Sequence, residues 1–239
     1  LFIIMNSFKG KLYISDNPFN WPSGDMFAGL ENYTEGIRKT GFFAAFGWAA
    51  FITVGSVLVI VLFTSMTAWY ITRVKTRLSN ALYYLFVFSM VVPFQMVMFT
   101  MSKLADMLKL NNPVGMIFLY LGFGAGLSVF MFCGFVKSIP LEIEEAAMID
   151  GCTPIQTFFQ IVMPILKPTA ITVAILNAMW VWNDYLLPYL VIGVSTPYKT
   201  IPVAVQYLMG SYGAKDYGSM MALLVLAIIP IIAFYLFCQ

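Results

Sequence analysis

The sequence predicts an all-α polytopic membrane protein of about six transmembrane helices, the first of them incomplete in this chain. Two observations set that class. Hydrophobic residues make up 61% of the chain and charged residues 10%, against about 45–50% and 25% in soluble domains, so most of the surface is expected to face hydrocarbon. The apolar residues also fall into runs of span length separated by short polar stretches, the pattern of successive membrane crossings.

A third observation removes competing chemistries. Histidine is absent, which excludes a Ser-His-Asp triad, a His-ligated metal and a phosphohistidine relay. No G-x-x-x-x-G-K-[ST] stretch exists, so ATP phosphates cannot be cradled in a P-loop here. Cys133, Cys152 and Cys238 are scattered without a CxxC, which argues against a zinc site or a disulfide framework. The net charge of +2, with no basic patch, points to no nucleic acid.

In chain order, residues 1–8 read as the outer end of a first span. They lack the basic start and small-residue cleavage site of a signal peptide. Residues 9–41 are polar and punctuated by Pro18, Pro22, Gly24 and Gly29, an outer loop with a short helix expected around Leu30 to Lys39. Residues 42–71 form an apolar stretch longer than the ~20 residues a span needs; its first part is a candidate to lie along the membrane surface. Arg73, Lys75 and Arg77 follow without an acid, which places that loop in the cytoplasm.

Residues 81–101 read as the next span, kinked at Pro93 with Gln95 beside it. A kink suits a moving transporter and a static bundle equally. After a short outer loop, residues 114–136 span back inward. The run GFGAG, Gly122 to Gly126, lies inside this apolar stretch with no strand before it, so it predicts close helix packing rather than phosphate binding. Two crossings from the Arg73 loop return the chain to the same face, so residues 137–168 are cytoplasmic. Residues 169–192 and 220–238 are the last two spans. Between them an outer loop, 193–219, contains a short apolar-faced helix bounded by Pro197, Pro202 and Gly210. The whole chain, 1–239, reads as a single membrane domain.

The cytoplasmic loop has its own grammar. Pro140 opens a helix, and Glu142, Glu144 and Glu145 put negative charge at its positive end. Gly151 ends it. Thr153, Pro154 and Gln156 then supply an N-cap, a first-turn proline and the second half of a capping box. Ile155, Phe158, Phe159 and Val162 follow at helical spacing as one apolar face, and Pro164 and Pro168 are expected to stop that helix and open the next. The product is a helix-turn-helix elbow with an acidic tip.

At these residues the chain resembles the membrane subunits of ABC importers. Their loop motif reads here as Glu145, Ala146, Ala147, then Gly151, then Ile161, Met163 and Pro164. Met163 replaces the usual Leu, a swap that conserves volume and apolarity. Ile149, Asp150 and Gly151, with Trp182, Asn183 and Asp184, are similar to the carbohydrate-uptake branch, the group of the second maltose and multiple-sugar permeases. The resemblance covers nearly the whole chain.

It implies a type I ABC importer permease fold in a bacterial or archaeal cytoplasmic membrane, moving a sugar, in particular an oligosaccharide. It implies that Glu144, Glu145, Ala146, Ala147, Asp150, Gly151, Ile161 and Pro164 couple to an ATPase dimer. That dimer would hold the ATP and Mg, leaving this chain non-catalytic and without a cofactor or metal. A second permease and an extracytoplasmic solute-binding protein complete the implied partners, with Val205, Gln206, Tyr207 and Gly210 as candidate contacts to the binding protein. On the residues alone, the short helix of that loop either reaches outward or rests on the bilayer.

Trp180, Asn183 and Asp184 are the candidate translocation path. From Thr169 a helix rises about 1.5 Å per residue, so Asn183 and Asp184 should lie roughly 20 Å from its inner end, where charge seldom faces lipid. Trp180 could offer a flat ring to a sugar. The alternative is that Asn183 and Asp184 only bond neighbouring helices and Trp180 fills space. Two other readings of the whole chain stay open: a secondary transporter driven by an ion gradient, and an ABC permease for another solute such as a glycerol phosphate. A membrane scaffold is disfavoured, because a capped, acid-tipped elbow is more than an anchor needs.

Overall fold

A computed structural model describes residues 1–193, 196–208 and 216–238. Among these the regular structure is helical, with one isolated bridge pairing Lys9 with Phe27. Its contacts divide it into two compact units, one built from residues 1–51, 111–113 and 182–239 and the other from 52–110 and 114–181.

The first unit begins with α1 (Phe2–Ser7), α2 (Lys11–Asp16) and α3 (Glu31–Thr40). The last of these is the helix expected near Leu30 to Lys39, and Gly41 closes it in the left-handed conformation at φ 60°, which glycine adopts without the Cβ penalty. Buried side chains knit this polar cap together. The Asn32 amide donates to the carbonyls of Ser7 and Lys9, each at 2.8 Å, and Lys9 itself is fully buried, its ammonium donating to the Asn17 carbonyl at 2.8 Å. Desolvation lowers the Lys9 pKa. α1 and α3 both lie on α14 (Tyr217–Cys238). Gly36 makes the approach of α3 possible, since an added Cβ would come within 3.2 Å of the Ser219 carbonyl. Phe42, Ala45, Ala49, Trp182, Ile201, Ala204, Val205 and Leu223 form the apolar core of this unit.

α4 (Phe42–Arg73) is one helix of 32 residues, so its first part is continuous with the span. The second unit takes α4 from residue 52, then α5 (Arg77–Val91), α6 (Phe94–Met107) and α7 (Pro113–Val136) from residue 114. Here the kink expected within 81–101 is a full break at Pro93. α5 and α6 are separate helices that meet at 106°. Val92 is extended at ψ 113° and Pro93 at ψ 135°, because a residue before proline is pushed out of the helical region and proline offers no N–H to continue the ladder. Fifteen residues of α5 rise only about 22 Å, short of the ~30 Å hydrocarbon core.

α7 is the packing centre of this unit, and its glycines act as the sequence suggests. A Cβ on Gly124 would lie 2.8 Å from Ile60 and 2.7 Å from the Asn177 oxygen, and one on Gly126 would lie 2.9 Å from the Phe86 carbonyl. Gly122 faces open space, so two of the three glycines carry the close packing. A buried polar link that the sequence did not announce joins the same helices: the Asn177 amide donates to the Ser128 hydroxyl at 3.1 Å.

The remaining elements are α8 (Leu141–Ile149), α9 (Pro154–Thr157), a π-helical turn at Phe158–Val162, α10 (Met163–Ile165) and α11 (Lys167–Asn183). They are followed by α12 (Leu186–Pro188), a second π turn at Tyr189–Gly193 and α13 (Ile201–Gln206). The fifth span is therefore not one helix over 169–192: α11 stops at Asn183. Among the described residues α4, α7 and α14 are each long and apolar enough to cross a membrane, and two bent pairs bring the number to as many as five.

Candidate functional site

The elbow is built by local chemistry at both ends of its turn. Proline at the N-cap and Glu142 and Glu144 in the first turn start α8. At its end Gly151 adopts φ 89°, which lets the Cys152 N–H fold back to the Ala147 carbonyl at 3.0 Å and satisfy a terminal acceptor. The capping box of α9 is present: the Thr153 hydroxyl accepts from the Gln156 N–H, and the Gln156 side chain accepts from the Thr153 N–H at 2.8 Å.

Beyond the cap the sequence reading needs three corrections. Phe158 and Val162 are buried, but Ile155 is 66% and Phe159 47% exposed. Ile155 belongs to the short α9 at the exposed tip, and from the π turn at Phe158–Val162 onward the buried series runs Phe158, Val162, Leu166 in steps of four. Pro164 does not stop the helix. It sits in the first turn of α10, and the break comes at Leu166, where the chain bends by 76° into α11.

The third correction concerns Glu144, expected at the docking face. Its carboxylate is buried at 1% exposure, paired with Arg73 at 2.7 Å and accepting the Trp69 indole N–H at 2.9 Å. Only its neighbours remain for a partner. Glu145, Ala146, Asp150, Gly151 and Pro164 are exposed, Ile161 is half-buried, and Ala147 faces the core. The exposed tip joins Glu145 and Asp150 with Met148, Ile149 and Ile155. Such a surface matches a groove with an apolar floor and a basic rim. Arg73 and Trp69 escaped the sequence reading, in which Arg73 served only to mark the cytoplasmic side.

The outer candidates separate. Trp180 is exposed, with its ring edge-on to the buried Tyr120 at 5.4 Å. Asn183, the last residue of α11, is also exposed and lines a cavity of about 370 Å³ with Trp182, Tyr185, Pro202 and Gln206. Asp184 is not in a helix. It lies half-buried at the break, where its carboxylate accepts the Leu186 N–H at 3.0 Å. Of the expected contacts to a binding protein, Val205 is buried in the apolar core and is withdrawn. Gln206 and Tyr207 are exposed; the Tyr207 hydroxyl donates to the Gly193 carbonyl at 2.9 Å, and the Lys199 ammonium lies 4.0 Å from its ring centre. Gly210 falls outside the described residues.

Spans broken at defined points and a capped elbow with an exposed tip agree with the membrane-permease class that the resemblance implies. Residues 60–239 match the family described as binding-protein-dependent transport system inner membrane component, and the chain belongs to it. It is thus a multi-pass inner-membrane subunit of a transport system that works with a binding protein.

Over 237 residues it is 40% identical to the probable starch degradation products transport system permease protein AmyC of Thermoanaerobacterium thermosulfurigenes, covering 99% of this chain and 85% of the relative. It is 34% identical to the multiple sugar-binding transport system permease protein MsmG of Streptococcus mutans, covering 99% and 84%. The fold is that of a chain in the crystal structure of a bacterial ABC transporter involved in import of the acidic polysaccharide alginate, with a TM-score of 0.75, 20% identity, and 98% and 86% of the two chains covered.

Proposed function

We propose that this chain is one of two different permease subunits in an ATP-driven importer of an oligosaccharide, and that its elbow docks on an ATPase dimer. The observation that carries the reading is the elbow tip, where Glu145 and Asp150 stand exposed beside bare Ile149 and Ile155. Two capped helix ends hold that surface in place, and among the described residues none covers it. The family supports dependence on a binding protein, and relatives described as permeases for starch degradation products and for multiple sugars support the substrate class. ATP and Mg belong to the ATPase partner, and this subunit catalyses nothing. Asn183 and Gln206 offer amides to sugar hydroxyls at the outer pocket, with Trp180 as a separate flat surface lower on α11.

Reconstitution with the second permease, the ATPase and the binding protein tests this. Vesicles without ion gradients should accumulate oligosaccharide only when ATP is supplied to the ATPase side. Uptake that follows an ion gradient and ignores ATP would replace this reading with secondary transport.

A further inference from the structure

The elbow is tied by its backbone to two spans. It follows α7 through residues 137–140 and runs into α11 through the bend at Leu166. α4 has no such link, because α5, α6 and α7 intervene between its end at Arg73 and the start of α8. What joins α4 to the elbow is side chain alone.

Three hydrogen bonds from the last two turns of α4 converge on one carboxylate. The Arg73 Nε and Nη2 donate to Glu144 Oε1 at 3.0 and 2.7 Å, and the Trp69 Nε1 donates to Oε2 at 2.9 Å. The same Arg73 Nη2 donates to the Ile139 carbonyl at 2.9 Å, just before α8 begins. Glu144 is 1% exposed and the Arg73 side chain 19%. Around this point Ala68, Ile71, Val136, Ile139 and Phe158 add apolar contact. Apolar contact resists separation but is non-directional. A two-pronged guanidinium bond fixes geometry as well as distance, and its burial spares it most screening by salt.

The placement of that bond matters. Glu144 is one peptide from Glu145, the exposed acid offered to the ATPase. A load applied at the tip therefore arrives next to the attachment of α4.

We propose that Trp69, Arg73 and Glu144 form the joint that passes displacement of the elbow to α4, so that ATP-driven motion reaches this span as well as α11. These are positioning residues, and the inference rests on the coupling role proposed for the elbow. Without the joint α4 follows through non-directional apolar contact and one long contact from the Ser65 hydroxyl to the Met163 sulfur at 3.9 Å, and ATP is hydrolysed without the full movement.

The test uses the complete reconstituted complex and measures ATP hydrolysed per oligosaccharide imported. Glu144→Gln keeps shape and an acceptor for Trp69 while removing the charge that holds Arg73; Trp69→Phe removes one bond and is the milder change. Trp69→Phe should assemble in wild-type amounts and Glu144→Gln in lower amounts, and in the complexes that form the ratio of ATP to sugar should rise about threefold or more, the size of effect that altered coupling commonly has. A cross-link supplies the converse. With the three native cysteines replaced by serine, Arg73→Cys with Glu144→Cys should be poorly coupled, and a short bifunctional thiol reagent bridging the two positions should bring the ratio back toward wild type.

An unchanged ratio in both single variants would overturn the inference. So would reduced assembly with a normal ratio in the complexes that form, because the cluster would then be a fastening only. A bridged pair that stays poorly coupled would also overturn it. Failure of the wild-type complex to import with ATP is a separate outcome, and would sink the proposed function and this inference together.

Discussion

The elbow and the outer cap each fasten surface helices to a span with charged side chains, and they do so in opposite ways. At the elbow a single buried acid, Glu144, is satisfied by one arginine and one indole. At the cap four side chains share a partly exposed network: Lys39 reaches Glu35 at 2.7 Å and Asp216 at 2.8 Å, and Lys11 approaches the same two acids at 3.5 and 3.4 Å. Several weak, screened pairs tolerate the loss of a member. A buried pair does not, because the survivor is left as an unpaired charge. The cap is thus redundant where the elbow is brittle.

The largest effect should follow from breaking the buried pair outright. Glu144→Ala strands Arg73 against the core, at a cost on the order of 3 kcal/mol, tempered by the part of the guanidinium that reaches solvent. The melting temperature of the detergent-solubilised complex should fall by several degrees, and Glu144→Ala with Arg73→Met should recover most of it. A double variant no more stable than the single one would show that the pair is not what holds α8.

Glycine sharpens the comparison, since each region uses one to end a helix. Gly151 and Gly41 sit at φ 89° and 60°, and at neither would a Cβ meet another atom within 4 Å. Alanine should therefore cost Gly41 the left-handed penalty of about 1–2 kcal/mol, and Gly151 somewhat more, since its φ lies beyond the left-handed region that L residues reach. Function should distinguish them: Gly151→Ala is expected to reduce uptake well beyond its effect on stability, because it reorients Glu145 against Asp150, whereas Gly41→Ala should lower stability and leave uptake per folded complex unchanged. Equal uptake in the two variants would mean that the elbow tip tolerates reorientation.

These contrasts also mark what could be read from the sequence. Gly151 and the Thr153 and Gln156 box were legible because capping is decided within five or six residues of chain. Long-range packing was not. Arg73 and Glu144 are 71 residues apart, and each alone reads as an ordinary charge near the cytoplasmic face. Val205 looked like one face of an outer-loop helix, and its burial depends on Phe42, Ala49 and Leu223 from distant segments. At Pro93 a proline in an apolar run signals that a helix is disturbed, without saying whether it bends slightly or turns through 106°. The π turn after Phe158 carries no spacing signal at all, since the apolar residues fit an ordinary helical face equally well.

The smallest effect concerns the cap, and its sign follows from the direction in which each group is displaced. Lys39 bonds to Glu35 and holds that carboxyl below the usual range, against the opposing pull of burial. Asp216 is pushed up by burial, but hydrogen bonds from Lys39 and Ser219 outweigh that and leave it lowered. Lys39 is raised, first by Asp216 and then by Glu35. A lowered carboxylate stabilises the fold above its unfolded pKa and loses that contribution as pH falls through the folded value; a raised lysine contributes below its unfolded pKa and loses it as pH rises through the folded one. The network is therefore intact at neutral pH and loosens in acid below the ordinary carboxylate range, and again in strong alkali. Salt acts on it without titrating anything: raising ionic strength from about 0.1 to 1 M shortens the screening length from about 10 to 3 Å. Hydrogen exchange at neutral pH should then speed up modestly in α3 and stay unchanged in α8, where the ion pair is buried. In Lys39→Met the response of α3 to salt and to acid should shrink without vanishing, because Lys11 still faces both acids. Equal loosening of α3 and α8 by salt would mean that burial gives Glu144 no protection, and the contrast between the two regions would fail.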